Sequence, residues 1–215
     1  MNSLQYIAVE GPIGVGKTTL ANLLAEEFAG RVMLEEAEDN PFLPSFYKDP
    51  KRFSFQTQVF FLLSRYRQQK DLAQQELFRN VTVSDYIFAK DKIFARLNLE
   101  EEELNLYENL FNTLDAKVPK PDLVIFLQAS LDTLRQRIKK RGIKHEKHIS
   151  GQYIEDLCQA YNQFFFEYDD TPLLTVNCSE IDIVKNRGDY KNLLREILNM
   201  RKAKLDKHYV SISSR

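Results

Sequence analysis

The chain has 215 residues, 43% of them apolar, which is enough for one buried core and close to the length of one domain. Thirty Lys plus Arg against thirty-one Asp plus Glu leave a formal charge of −1, without the basic excess of a protein that binds nucleic acid polymers. The longest apolar stretches, Val59–Leu63 and Leu123–Leu127, fall far below the roughly 18 residues that cross a bilayer, so a soluble chain with no membrane role is expected.

The first strand-length run, Leu4–Val9, has no basic lead-in and reads as structure rather than an export signal. It leads into Gly11-Pro12-Ile13-Gly14-Val15-Gly16-Lys17-Thr18, which satisfies G-x-x-x-x-G-K-[ST], with Thr19 continuing into an apolar helix to Phe28. The glycines let backbone N–H groups curl around phosphate oxygens, Lys17 reaches the β and γ phosphates, and Thr18 is a ligand for Mg²⁺. ATP or GTP binding follows. The second strand, Val32–Leu34, is followed by the acidic run Glu35, Glu36, Glu38 and Asp39. In a doubly wound sheet, ligands sit at the carboxyl ends of strands, so Glu35 is either a general base for an acceptor hydroxyl or part of a solvated loop.

Three prolines between residues 41 and 50 precede a long helix, Phe53–Leu77, on which Gln58 and Arg65 are seven residues and two turns apart. The third strand, Val81–Val83, ends in Ser84-Asp85, where Asp85 either holds Mg²⁺ or caps the next helix. A helix over Glu100–Leu114 and a Lys120-Pro121-Asp122 turn lead to the fourth strand, Leu123–Leu127. The helix Leu131–Lys140 ends in a basic cluster with Arg137 and Arg141 on one face, suited to clamping a phosphoryl group or to stabilising the helix end. A polar stretch follows, and residues 139–151 read as a lid. The helix Gln152–Tyr168, a fifth strand Leu173–Val176 and a helix over Tyr190–Met200 complete the pattern, and the polar end, 202–215, is expected to fray. Strands alternating with helices predict an α/β fold, a five-stranded parallel sheet in one domain spanning 1–215. Cys158 and Cys178 form no C-x-x-C pair and fit a reducing compartment, so the cytoplasm is expected. The nearest string to the guanine-reading N-K-x-D, Asn186-Arg187-Gly188-Asp189, does not fit it.

In order, GPIGVGKTT, EEAEDNPFLPSFYKDP, FSFQTQVFFLLSRYRQQ, VSDYIFAKDKIFA, PDLVIFLQAS and LRQRIKKRG followed by KHE resemble the deoxynucleoside kinases, especially the bacterial purine branch. The resemblance covers most of the chain and implies a P-loop kinase fold with an arginine-rich lid, ATP as donor, Mg²⁺ and a homodimer. It further implies that Glu35 is the base for the sugar 5′-hydroxyl, that Tyr47 and Glu146 hold the 3′-hydroxyl, and that Gln58, Arg65 and Asp91 contact the base. Arg137 and Arg141 match lid arginines that meet the donor phosphates. Phe55 and Phe94 are candidates for stacking on the base or for plain core. Two positions depart from the family pattern: Tyr86 stands where an arginine commonly follows the acidic residue, and Ile143 stands where the lid commonly has a second arginine. Lys139, Lys140 or Lys144 remain as substitutes in the lid, and catalysis is expected to lean on fewer cations. Gln58 offers a donor beside an acceptor, which complements adenine, so the expected acceptor is a purine deoxynucleoside, deoxyadenosine ahead of deoxyguanosine. The alternatives are a nucleoside-monophosphate kinase of thymidylate-kinase type and, more distantly, a P-loop regulatory ATPase.

Overall fold

In the computed structural model, which describes residues 4–75, 81–179, 186–203 and 207–211, the five apolar runs become neighbouring strands of one sheet. These are β1 (Tyr6–Glu10), β2 (Arg31–Met33), β3 (Thr82–Ser84), β4 (Leu123–Gln128) and β5 (Leu173–Asn177). A sixth, β6 (Lys207–Ser211), lies in the stretch expected to fray, so the sheet has six strands and not five. Their order is β2-β3-β1-β4-β5-β6, and every neighbouring pair is parallel. β6 pairs with β5 from Leu173↔Lys207 to Asn177↔Ser211, and Val210 packs against the core. Its polar composition hides it locally, because an edge strand is held by backbone pairing to a partner far away in sequence.

Strand alternation sorts the core into two faces. Ile7, Val9, Ile125, Leu127, Leu174 and Val176 point to one side and meet Leu20 and Leu24 of α1 (Lys17–Glu27), Leu134 of α6 (Leu131–Arg141) and Leu193 of α8 (Arg187–Ala203). Ala8, Val124, Phe126 and Leu173 point to the other, against Ile93 of α4 (Lys90–Asn98) and Leu157, Tyr161 and Phe165 of α7 (Gly151–Glu167). Burying each such Leu or Ile is worth about 1.5–3 kcal/mol, and with helices on both faces the inner strands are apolar nearly without a break.

The long helix α3 (Pro50–Gln75) starts three residues earlier than expected, and the expected end at Leu77 lies outside the described residues. With α4 it supports α5 (Glu101–Asp115) through a third cluster of Leu62, Phe88, Tyr107 and Phe111. Phe55 packs against this cluster, which answers its reading as core rather than as a base-stacking residue. A short α2 (Leu43–Phe46) lies between β2 and α3. Because all strands run the same way, their carboxyl ends share one rim of the sheet, and the loops leaving β1, β2 and β3 meet there.

Candidate active site

The loop after β1 is shaped by glycine. Gly11 has φ +149°, and a Cβ there would stand 2.4 Å from the Leu127 carbonyl oxygen; at Gly14, with φ +83°, it would stand 2.8 Å from Ile138. Any side chain at either place would push the loop off β4 or α6. Gly16 then opens α1 with no side-chain cap, which leaves the first N–H groups of the helix to an anion. Lys17 folds back over the loop, its Nζ donating to the carbonyls of Gly11 (2.8 Å) and Pro12 (3.3 Å).

The loops after β2 and β3 are tied to this one by a single carboxylate. Asp85 accepts from the Thr18 hydroxyl at 2.5 Å through Oδ2 and from the Glu35 N–H at 2.8 Å through Oδ1. It therefore does not serve as a helix cap, and α4 begins at Lys90 with Ala89 as a cap position that has no side-chain bond. Thr18 Oγ1 beside a carboxylate oxygen is a pair of hard oxygens that fits Mg²⁺, which takes its remaining ligands from phosphates and water. A second carboxylate, Glu10 at the end of β1, is wholly buried and receives three donors: the N–H groups of Gly11 (2.9 Å) and Ile87 (3.0 Å) and the Tyr161 hydroxyl (3.0 Å).

Beside these loops lies a cavity of about 460 Å³, within the size range of small-molecule sites. Of the residues singled out in the sequence, Lys17, Thr18, Glu35, Tyr47, Gln58, Arg65, Asp85, Phe94, Arg141 and Glu146 line it. Asp91 is not on the wall but behind Arg65, whose Nη1 donates to its Oδ1. Arg137 is also off the wall: Nη1 donates to the Val15 carbonyl at 2.8 Å and Nη2 to the Cys178 carbonyl at 3.3 Å, so it braces the phosphate loop from α6. Arg141 reaches Glu146, with Nε 3.2 Å from Oε2 and Nη2 also donating to Oε1. Helix α6 runs on through Arg141 and stops at Gly142 in the left-handed region, so the segment after it is shorter than the lid read from sequence.

Glu35 is the electrostatic centre of the cavity. Its Oε1 accepts from Arg65 Nε at 2.9 Å and also from Arg65 Nη2, and its Oε2 accepts from Lys90 Nζ at 2.9 Å. Burial works against its charged form, but the Arg65 and Lys90 charges outweigh burial and hold its carboxyl well below the usual carboxylate range. For Asp91, with no exposed surface, burial dominates the pull of Arg65 and pushes the carboxyl up to about 6. Burial, reinforced by the charge of Lys90, lowers Lys17 from its ordinary value.

Two of the cavity residues that the sequence reading does not single out bear on Glu35 and Arg65. Lys90 is 2% exposed and supplies a cation beside Glu35 that Tyr86 does not. Phe61 lies under the Arg65 guanidinium, 4.7 Å from its ring centroid, and lines the cavity. Its place one turn before Arg65 on α3 was the available signal.

The model of a family described as deoxynucleoside kinase matches residues 7–201. The deoxyguanosine kinase of Bacillus subtilis (strain 168) is 38% identical over 202 residues, which cover 92% of this chain and 98% of that protein. The deoxyadenosine kinase of Lactobacillus acidophilus is 33% identical over 210 residues, covering 90% and 95%. Among solved structures, deoxyadenosine kinase from M. mycoides with bound dCTP is similar with a TM-score of 0.77 at 28% identity, covering 93% of this chain and all of that one. The likeness thus runs through the phosphate loop, the cavity and nearly the whole sheet, and this chain belongs to the deoxynucleoside kinase family.

Proposed function

We propose that the chain transfers the γ-phosphoryl group of ATP to the 5′-hydroxyl of a purine deoxynucleoside, making the monophosphate in nucleotide salvage, as a Mg²⁺-dependent cytoplasmic homodimer. The observation that carries this reading is the place of Glu35, between a phosphate loop on one side and a cavity lined by Gln58 and Arg65 on the other. An acceptor hydroxyl set against Glu35 faces the γ-phosphorus held by Lys17. The O5′–P bond forms as the bond from the γ-phosphorus to the β,γ-bridging oxygen breaks, ADP leaves with that electron pair, and the hydroxyl proton passes to Glu35. A carboxylate so firmly ionised is a weak base, so it orients the hydroxyl and takes the proton as the new bond develops. Thr18 and Asp85 would hold Mg²⁺, which supplies charge neutralisation on the phosphate oxygens. Tyr47 and Glu146 line the cavity, which supports their reading as the pair for the 3′-hydroxyl, and Arg141, with Arg137 behind the loop, would bring positive charge to the donor phosphates.

Gln58 is 2% exposed and presents an amide donor and acceptor side by side, which a purine edge complements. The named relatives, a deoxyguanosine and a deoxyadenosine kinase, support the same class. Leu63 on α3 and Leu106 and Leu110 on α5 leave apolar surface exposed on one side of the helical layer, which supports a dimer through these helices. No helix among the described residues is long and apolar enough to cross a membrane.

The test is an assay of ATP with each of four deoxynucleosides and four deoxynucleoside monophosphates. Phosphate should go to deoxyadenosine and deoxyguanosine, and transfer chiefly to thymidine or to a monophosphate would overturn the reading. Glu35→Gln should lower kcat by about 10²–10⁴-fold with ATP binding retained.

A further inference from the structure

Lys90 is the first residue of α4, and its backbone N–H bonds to the Ile87 carbonyl at 3.2 Å, so the turn after β3 fixes where its side chain starts. The side chain passes the Phe94 ring, with Nζ 5.6 Å from the centroid, and ends 2.9 Å from Glu35 Oε2. An ammonium taken so completely out of water costs several kcal/mol unless it is paired, and Glu35 is the partner it meets. Arg65 binds the other oxygen of Glu35 but shares its guanidinium with Asp91 and faces the cavity, where a substrate base is to be read. Lys90 also lines the cavity, and its ion-pair partner is Glu35. Tyr86, directly after Asp85, is fully buried and donates its hydroxyl to Gln68 Oε1 at 2.7 Å, so no other group from that turn reaches Glu35 as a cation.

We propose that Lys90 is the positioning residue of Glu35: its ammonium pins Oε2 and aims the carboxylate at the acceptor hydroxyl while Arg65 engages the substrate base. This rests on the reading of Glu35 as the group that orients and deprotonates the 5′-hydroxyl.

The experiment compares Lys90→Met, Lys90→Gln and Lys90→Arg with the unsubstituted enzyme at saturating ATP, with varied deoxyadenosine or deoxyguanosine. Melting temperature and the shift on adding ATP gauge folding. The neutral variants should lose about 10²-fold in kcat with deoxynucleoside KM within about threefold. Arginine should recover at least about tenfold of that loss. In a Glu35→Gln background, Lys90→Met should cost less than about threefold, because the residue it positions is already gone. A folded neutral variant with kcat within about threefold of the unsubstituted enzyme overturns the proposal. So does a loss in kcat that is fully additive with Glu35→Gln. Should both neutral variants fail to fold, Lys90→Arg decides: kcat within about tenfold is expected, and a larger loss overturns the assignment. An unsubstituted enzyme that phosphorylates no deoxynucleoside would sink the functional reading instead, which separates the two failures.

Discussion

Arg65 donates to Glu35 on one side and to Asp91 on the other, yet the two carboxyls shift in opposite directions. Glu35 has two cations and some contact with solvent, whereas Asp91 has only its share of one guanidinium and no solvent at all. The native Asp91 carboxyl therefore keeps its proton up to about 6, while an unfolded aspartate loses it near about 3.9. Between those values the native state binds more protons, so its contribution to stability falls as pH rises through the window. Glu35 acts the other way: its lowered value gives stability that is fully present above the unfolded carboxylate range and is lost as pH falls through its native value. Asp91→Asn should therefore flatten the decline in melting temperature between about pH 4 and 6, and an unchanged slope would show that Asp91 is not protonated there. The opposite shifts are not legible in the sequence, where the resemblance implies only that Arg65 and Asp91 contact the base. The phosphate loop was readable, because its function is written in consecutive residues whose glycines have no substitute at those φ values.

At the scale of elements, punctuation was legible and partners were not. Ser130 and Ser150 accept from the N–H groups of Thr133 and Tyr153 at the starts of α6 and α7, and Gly142 ends α6 in the left-handed region, all by local chemistry. What α6 does with its basic residues depends on what lies opposite. Arg137 finds carbonyls of the phosphate loop and of Cys178, and Arg141 finds Glu146 across the turn. Arg137→Met should raise the KM for ATP several-fold and lower the melting temperature, since the brace on Val15 is lost along with a charge near the phosphates; equal KM values would remove Arg137 from the donor side. Residues 142–150 have only a 3₁₀ turn of their own, His145–His148, between two capped helices. Hydrogen exchange in this stretch should slow on adding an ATP analogue, while identical protection with and without it would rule out a closing segment. β6 escapes a local reading because it is defined by a partner distant in sequence, and the brace that Arg137 gives the phosphate loop is hidden for the same reason.

For the molecule as a whole, the exposed leucines of α3 and α5 give a test of assembly. Leu106 is 54% exposed on a helix whose other face is fully packed through Tyr107 and Phe111. Leu106→Asp combined with Leu110→Asp should convert a sedimenting dimer to a monomer with its fold retained, and a species unchanged in mass would place the interface elsewhere. The sheet makes the rim of the site rigid in a further sense. Glu10 gathers donors from the phosphate loop, from the turn after β3 and from α7, and Asp85 stitches the start of α1 to the backbone of Glu35. The distance from phosphate cradle to acceptor carboxylate is thereby a constant of the scaffold, like the gap of a fixed caliper. On the proposed role of Glu35, a nucleotide that already carries a 5′-phosphate should arrive one phosphoryl group too long for that gap, and a deoxynucleoside monophosphate should be a poor acceptor.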